Sequence, residues 1–313
     1  MYVGPQYGLP CAWNAGRANR PPMSVILPAV LPVFITALIG YALAKANRPF
    51  DNKTIAFLVV GLGTPALVFF NLSKTTVVPG ALVGITAATV VAIIFYLITG
   101  AVILKATGMR LRTFLPSLAF PNAGNLGLPL ALYAAGDEGL NYAIIIFAIT
   151  SIFNLTIGQA LAAGRSNWMT VLKSPIVPAA LLGLVFAYGR IPIPLWATNT
   201  LSMMSGLTIP LMLLMLGTSL AKIQVTTFPR AALMSAVRIG MGVVAGFALS
   251  ALFGFTGAER IAFVLQCAMP VAVFNYLFAQ MYDNEPGEVA SLVVVSTLFA
   301  VVTTPIVLAV LAP

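Results

Sequence analysis

The residues of this 313-residue chain that could do chemistry are few, and their types exclude several classes of function. The sequence contains no histidine, and its two cysteines are Cys11 and Cys267. A disulfide framework and a zinc site built from cysteine and histidine are therefore excluded. All seven aspartates and glutamates fall at the ends of apolar stretches or between them, so no stretch carries the internal acid and base that hydrolytic chemistry needs. We accordingly expect no enzymatic activity, no cofactor and no metal site.

The most unusual polar cluster is FPNAGNLGLPLAL, at residues 120–132, inside an otherwise apolar stretch. Its prolines and glycines disfavour a continuous helix. Asn122, Gly124 and Asn125 are suitable residues with which to begin a new half-helix after a break. The N-terminal end of a helix carries unbonded N–H groups and a partial positive charge, which favour an anion such as a carboxylate. This stretch therefore predicts an interrupted helix whose second half could bind an anion.

The composition indicates whether the chain lies in water or in a lipid bilayer. Hydrophobic residues make up 60% of the chain, charged residues 7%, and the mean hydropathy is +1.02. A soluble domain carries about 25% charged residues, so we expect an integral protein of the lipid bilayer. Long continuous apolar runs predict helices, because the strands of a membrane barrel alternate with period two. The net charge of +9 is attributed to membrane topology and not to nucleic-acid binding.

The hydropathy pattern predicts an all-α membrane protein with ten transmembrane helices, each about 17–25 residues long. The predicted spans are 25–44, 54–72, 78–104, 113–134, 140–163, 175–189, 195–221, 231–254, 260–281 and 289–311. Residues 1–22 are predicted to be a disordered N-terminal tail, or to lie outside the native protein if translation begins at Met23. Ten lysines and arginines occupy the gaps after odd-numbered spans, against five on the other side. Each gap takes the number of the span before it. The bias places the odd-numbered gaps in the cytoplasm and both termini outside.

The two halves of the chain repeat each other. GTPALVFFNLSK at 63–74 recurs loosely as TIPLMLLMLGTSLAK at 208–222, and the stretch that contains Pro121 recurs around Pro270. We therefore predict two repeats, 23–165 and 172–313, with five spans each. Because five is an odd number, the second repeat must insert upside down relative to the first. Inverted repeats with matching interrupted helices are typical of secondary transporters.

Three motifs also resemble those of a known family, the auxin efflux carriers of plants and prokaryotes. They are PNAGNLGLPLALY at 121–133, GTPALVFFNL at 63–72, and AMPVAVFNYLFAQMYDNEPGEVASLVVVSTLFAVVTTPI at 268–306. LPVFITALIGYALAK at 31–45 is similar to the first helix of the family. The resemblance covers residues 23–311. The gap between spans 5 and 6 is short, unlike the long cytoplasmic loop of the plant PIN carriers, which makes the chain similar to bacterial members.

The resemblance implies an architecture and a function. Spans 1, 2, 6 and 7 would form a scaffold, and spans 3–5 and 8–10 a transport domain that moves in an elevator-type cycle, a fold shared with the bile acid–sodium symporters. Spans 4 and 9 would cross at their broken points. The implied substrate is an organic anion such as malonate, malate or an auxin-like weak acid, carried by a homodimer in the cell inner membrane. The residues expected at the crossover are Pro121, Asn122, Gly124, Asn125, Pro270, Val271 and Asn275.

The driving ion and the competing functions stay open at this stage. Gln266 stands where the bile acid–sodium symporters carry an acidic sodium ligand, so a uniporter or weakly coupled carrier is favoured over a sodium-coupled symporter, although neutral oxygens could still hold sodium. A channel or receptor could also have ten spans, but neither requires inverted halves.

Several polar residues inside the spans have two possible roles. Arg238 lies about 12 Å inside span 8, where its side chain could snorkel to the cytoplasmic face or attract the substrate anion. Asn71, Asn154 and Gln159 are expected to form hydrogen bonds across packed helices.

Overall fold

The computed structural model describes residues 23–164, 174–223, 225 and 227–311. Within these ranges every regular element is a helix, and the only strand-like pairing is an isolated antiparallel bridge between Pro121 and Val271. The prediction of an all-α protein is confirmed. The predicted tail at 1–22 lies outside the described residues, as does most of the predicted gap between spans 5 and 6.

Residues 23–164, the described part of the first half, form seven α-helices. They are α1 (Met23–Lys45), α2 (Asn52–Phe57), α3 (Thr64–Leu72), α4 (Pro79–Ala106), α5 (Leu111–Ala119), α6 (Leu128–Phe153) and α7 (Gln159–Ala163). The same described residues contain three π-helical segments: Leu58–Gly63 between α2 and α3, Ala123–Gly127 directly before α6, and Asn154–Gly158 between α6 and α7. A π-helix closes its hydrogen bonds one residue later than an α-helix, which widens the turn locally.

The described residues of the second half form six α-helices and no π-helical segment. They are α8 (Ile176–Tyr188), α9 (Leu195–Lys222), α10 (Phe228–Leu252), α11 (Gly257–Ala268), α12 (Val273–Met281) and α13 (Pro286–Leu311). The predicted ninth span therefore consists of two short helices, α11 and α12. Pro270 lies between them, where a missing backbone N–H and a fixed φ disfavour helix continuation.

Seven helical stretches of the described chain are long and apolar enough to cross a membrane. They are Leu27–Lys45, Thr54–Leu72, Pro79–Ala106, Ala123–Ala163, Leu195–Lys222, Phe228–Leu252 and Pro286–Leu311. An integral, multi-pass helical protein is thereby confirmed, while ten crossings in two inverted repeats stay a prediction. The 41-residue stretch Ala123–Ala163 covers most of predicted spans 4 and 5. It is interrupted at Ala135 and Gly136, where Gly136 adopts a φ of 64° that other residues rarely accept.

The interrupted segments are the most deeply buried part of the molecule. Every residue in 113–131 and every residue in 261–272 is buried. Helices α4, α6, α10 and α13 pack around these two segments, while α1, α3, α8 and α9 pack mainly against one another. Large apolar side chains on the outer helices, such as Leu38, Val83 and Trp196, are exposed, as expected of surfaces that face lipid.

Helices α1 and α9 pack backbone against backbone. A Cβ atom on Gly217 would lie 1.8 Å from the carbonyl oxygen of Ala37, and one on Gly40 would lie 2.2 Å from that of Leu214. Both distances are shorter than van der Waals contact, so only glycine fits at these positions. Small residues at such contacts let membrane helices approach closely, which fixes α1 and α9 as one unit.

Contacts between loops fall into two sets. Arg110 and Arg230 form salt bridges with Glu285 and Glu288, at 2.8 and 3.2 Å, and these contacts join predicted gaps 3, 7 and 9. Tyr188 donates a hydrogen bond to the carbonyl of Val77 at 2.7 Å, which joins gap 6 to gap 2. Burial raises the pKa of Glu259, and the nearby charge of Glu138 raises it further, so gaps 4 and 8 are also neighbours.

Candidate functional site

The two interrupted segments meet at a short antiparallel backbone pairing. The N–H of Asn122 donates to the carbonyl of Pro270 at 2.7 Å, and the N–H of Ala272 donates to the carbonyl of Phe120 at 3.4 Å. An unpaired backbone group in a membrane interior costs several kcal/mol. Each break therefore satisfies groups that the other exposes, and the two breaks are stable only together.

Asn122 begins the helical turn that follows the first break. Its side-chain Oδ1 accepts a hydrogen bond from the N–H of Asn125 at 3.3 Å. The chain then enters the π-helical segment Ala123–Gly127 and continues as α6. The predicted capping role of Asn122 is thus observed, although the capped turn is a π-turn and not an α-turn. Gly124 lies in this turn beneath Phe147, whose ring a Cβ on Gly124 would approach to 2.8 Å.

The N–H donors at the second break are used within the protein, while Oδ1 of Asn275 has no partner. The amide nitrogen of Asn275 donates to the carbonyls of Pro116 and Phe120, at 3.2 and 3.1 Å. The N–H of Val271 donates to the hydroxyl of Ser296 at 3.1 Å. Asn275 is therefore a structural tie between the two interrupted segments and is absent from the lining of the cavity described next.

A cavity of about 320 Å³ opens beside the first break. Polar side chains from four parts of the chain line it, namely those of Thr64, Asn122, Asn125, Thr150, Ser151, Asn154 and Ser174. Apolar residues complete the wall, among them Met212, Met215 and Phe274. The described lining contains no charged side chain. Its volume lies at the small end of the range for ligand pockets, about 300–1,000 Å³.

Three buried polar atoms on residues that line this cavity lack a hydrogen-bond partner. They are the amide nitrogen of Asn122, a residue only 4% exposed, the hydroxyl of Thr64 and Oδ1 of Asn154. The first two can donate a hydrogen bond. A buried polar group left unpaired costs about 1–3 kcal/mol, so a ligand with acceptor oxygens would recover that free energy.

All three π-helical segments contribute to the same cavity. Val59 and Val60 come from the first, Ala123 to Asn125 from the second, and Asn154 and Leu155 from the third. Widened π-turns occur frequently at functional sites. Their convergence identifies this cavity as the candidate site independently of the prolines.

Gln266 packs against the turn that follows the first break. Its amide nitrogen lies 3.3 Å from the carbonyl of Ala123 and 3.4 Å from that of Ala143, and it donates to both. A Cβ on Gly127 would lie 2.2 Å from Oε1 of Gln266, so a larger residue at Gly127 would displace the Gln266 amide. The amide nitrogen thus engages both carbonyls, each of which keeps a second lone pair, while Oε1 of Gln266 has no partner. Among the described residues, no three of His, Cys, Asp and Glu group closely enough to hold a metal ion.

Arg238 does not snorkel, so the first of the two roles considered for it is wrong. Its side chain is 0% exposed and turns inward, toward α11, donating to the carbonyl of Cys267 at 3.1 Å. Arg238 is also absent from the cavity lining, so it makes no direct contact with a ligand there. The depth of a residue along a helix could be read from the sequence, but the face it occupies could not.

Of the other polar residues within the spans, two form hydrogen bonds between helices and one lines the cavity. Asn71 contacts Ser205 of α9 at 3.5 Å, and Gln159 donates to the hydroxyl of Tyr282 at 2.7 Å; both predicted contacts between helices are confirmed. Asn154 instead lines the cavity, and its Oδ1 has no partner. The sequence reasoning therefore missed Asn154, together with Thr64, Thr150 and Ser151.

Comparison with known proteins decides the class. A family model described as membrane transport protein matches the chain in two segments, residues 25–171 and 159–308. The chain belongs to this family. The resemblance to the auxin efflux carriers is thereby confirmed, and the protein is a membrane transporter. Neither the family nor the relatives below indicate an enzyme.

Two archaeal relatives are similar to this transporter over nearly their whole length. An uncharacterised transporter of Methanocaldococcus jannaschii is 26% identical over 301 residues, which cover 88% of this chain and 95% of the relative. An uncharacterised transporter of Methanothermobacter thermautotrophicus is 27% identical over 297 residues, with the same coverage of both chains.

Proposed function

We propose that this transporter is a secondary carrier that moves a small organic anion, such as a carboxylate or an auxin-like weak acid, by elevator-type alternating access. The observation that carries the proposal is the pair of unpartnered donors, Asn122 and Thr64, beside a cavity at the start of an interrupted helix. The positive end of the helix dipole and the two donors suit a carboxylate. The volume of about 320 Å³ favours a small acid over a bile acid.

The packing supports the proposed division into two bodies. Helices α1, α3, α8 and α9 pack mainly with one another, which corresponds to a scaffold of spans 1, 2, 6 and 7. The backbone pairing at the breaks ties spans 4 and 9 together, so they would move as one transport domain with spans 3, 5, 8 and 10. The cavity has walls from both bodies, which is where relative movement would expose a substrate to one side or the other.

The two sets of loop contacts support ten crossings. Salt bridges join only odd-numbered gaps, while the contacts of Tyr188 and Glu259 join only even-numbered ones. The cavity is lined by Ser174 and Met215. Ser174 lies at the end of span 6 next to gap 5, and Met215 lies toward the end of span 7 next to gap 7. With the lysine and arginine bias, this corresponds to a cytoplasm-facing state in the inner membrane with both termini outside. A homodimer formed through the scaffold follows from the family resemblance.

Thiol labelling in intact cells tests this orientation. In a Cys11→Ser background, a cysteine at Thr107 should resist an impermeant reagent, and a cysteine at Asp137 should react. The reverse pattern would overturn the proposed topology.

The function itself is tested with the purified protein and a panel of organic acids. An acid that raises the melting temperature should also be taken up by proteoliposomes, and unlabelled acid inside should stimulate that uptake by counterflow. Counterflow distinguishes a carrier from a channel or a receptor. If no acid in the panel binds, the proposed substrate class is wrong.

A sodium-coupled symporter is the second candidate, because neutral oxygens can bind sodium. The engagement of the Gln266 amide with the Ala123 and Ala143 carbonyls favours a uniporter or weakly coupled carrier instead.

A further inference from the structure

Arg238 is a buried cation without a carboxylate partner. Its side chain is 0% exposed, and its Nε and Nη1 atoms form no hydrogen bond. All seven carboxylates of the chain lie at span ends or in gaps, and Arg238 takes part in neither of the salt bridges of the described chain. A buried charge is normally paired, because leaving water is otherwise very costly. The structure must therefore stabilise this guanidinium by other means.

Two features of the protein provide that stabilisation. The guanidinium lies over the ring of Tyr96, 4.6 Å from its centroid, in a cation–π contact. It also donates to the carbonyl of Cys267, in the last turn of α11, where the partial negative charge of a helix dipole lies. Helix α10 comes this close because of Gly242, where a Cβ would lie 2.1 Å from the Cys267 carbonyl oxygen.

This carbonyl lies immediately before the second break. Pro270, whose carbonyl accepts the N–H of Asn122, lies three positions after Cys267. Because an extended residue spans at most about 3.6 Å, the guanidinium lies within roughly 15–20 Å of the cavity wall. The path between them runs through wholly buried residues, 267–272 and 121–123, where water does not screen the charge.

We infer that Arg238 is the fixed countercharge of the transporter. It holds the carboxyl end of α11 at the crossover and imposes a positive potential on a cavity whose described lining has no charge. The anionic substrate is then selected by a cation that it never touches. The selection of an anionic substrate by Arg238 rests on the proposed function. The positive electrostatic potential in the cavity is a property of the protein alone and can be measured without substrate.

The expected size follows from Coulomb's law. At about 15–20 Å and an effective dielectric constant of about 20, one charge changes an equilibrium or rate for a monovalent ion by roughly fivefold. Two reagents of opposite charge should therefore differ by roughly 25-fold in their response to the loss of Arg238.

The experiment places a reporter thiol in the cavity. Ser151→Cys, at a half-buried lining position, is introduced into a Cys11→Ser background, and the parent without Ser151→Cys supplies the baseline for buried Cys267. The measured quantity is the ratio of reaction rates with the anionic sulfonatoethyl and the cationic trimethylammonioethyl methanethiosulfonates. Arg238→Gln should lower this ratio about 25-fold, and Arg238→Lys, which keeps the charge, should change it less than about threefold.

A second route covers the case in which Arg238→Gln does not fold. Ser235 is buried one helical turn before Arg238, and its hydroxyl has no partner. Ser235→Asp should pair with the guanidinium and lower the ratio as Arg238→Gln does, while Ser235→Asn, of nearly equal size, should leave it unchanged. Arg230→Gln serves as the control for a lost exposed charge on the same helix, because that side chain is 50% exposed and salt screens it.

The outcomes separate the two hypotheses. A ratio that stays constant in Arg238→Gln and in Ser235→Asp overturns the countercharge, and leaves the proposed function to stand on the acid screen with the wild-type protein. A lowered ratio together with an acid screen that finds no ligand supports the countercharge and overturns the proposed substrate class. Equal losses in Ser235→Asp and Ser235→Asn would show only a packing effect, and the inference would be wrong.

Discussion

The two breaks at the crossover are built from the same backbone device but differ in what they leave unused. At the first break, Asn122 caps a π-turn with its oxygen, and its amide nitrogen stays unpartnered beside the cavity. At the second break, the amide nitrogen of Asn275 donates to the carbonyls of Pro116 and Phe120. Only Ala272 and Phe274 of this segment line the cavity.

This difference assigns substrate recognition to the first break and stabilisation of the fold to the second. Both breaks have a proline and an asparagine a few residues on, so sequence similarity alone would give them equal roles. The hydrogen bonds distinguish them, because the amide nitrogen of Asn275 already donates to two carbonyls and has no N–H left for an anion. Its unpartnered Oδ1 can only accept a hydrogen bond. We therefore expect the first break to determine affinity and the second to determine stability.

The largest expected effect is on binding, at Asn122. Asn122→Ala removes a hydrogen bond to a charged ligand, worth about 1.5–3 kcal/mol, which corresponds to a tenfold to hundredfold rise in the Kd of an acid that binds the wild type. The lost cap costs about 1 kcal/mol of stability. Isothermal titration and thermal melting measure the two effects. Asn71→Ala is the control, and equal behaviour of both variants with no change in Kd would place the site elsewhere.

The opposite pattern is expected for Asn275. Asn275→Ala removes two buried hydrogen bonds, to the carbonyls of Pro116 and Phe120, each of which keeps a backbone donor. At about 0.5–1.5 kcal/mol for each bond, the free energy of unfolding should fall by about 1–3 kcal/mol. The Kd of the variant that remains folded should change less than about threefold. A loss of affinity as large as that of Asn122→Ala, at unchanged melting temperature, would remove the proposed distinction between the breaks.

An effect of similar size on stability is expected where the first break contacts the helix that leads into the second. Gly127→Ala would bring a Cβ within 2.2 Å of Oε1 of Gln266, and such overpacking typically costs about 1–3 kcal/mol. Gly206 is the matched control, because a Cβ there meets nothing within 4 Å. Gly206→Ala should leave the melting temperature unchanged or raise it, since alanine favours a helix. Equal melting temperatures for both variants would show that the Gln266 contact is unimportant.

The smallest effect concerns ions. Neither break presents a carboxylate, and Gln266 engages the nearby carbonyls with its own amide. Replacing sodium with potassium should therefore change the Kd of a bound acid by less than about twofold. A tenfold loss, about 1.4 kcal/mol, would reveal a sodium site of neutral ligands and favour the symporter alternative.

The sequence predicted those features that leave a local chemical signal. Pro121 and Pro270 marked the breaks because proline cannot continue a helix, and their matching positions in the two halves predicted that they would meet. Asn122 was identified by its capping propensity. These predictions depend on residue type and spacing alone, which is why they could be made without coordinates.

The features that were missed depend on tertiary geometry. The π-helical segment Leu58–Gly63 reads LVVGLG, an apolar run that periodicity cannot distinguish from an α-helix. Asn154 and Gln159 look alike in the sequence, yet one lines the cavity and the other bonds to Tyr282. The inward direction of Arg238 likewise follows from the close approach of α10 to α11.

The pairing of Asn122 with Pro270 also sets an order of events during synthesis. The two partners are about 150 positions apart, and a ribosome adds roughly 5–20 residues per second. After the first interrupted span emerges, its unpaired backbone groups must wait roughly 8–30 s for the segment that satisfies them. During that interval the nascent chain holds a defect within the bilayer that only its own distant half can repair. A chaperone or the insertion machinery that shelters this span would therefore act on the first half of the protein alone.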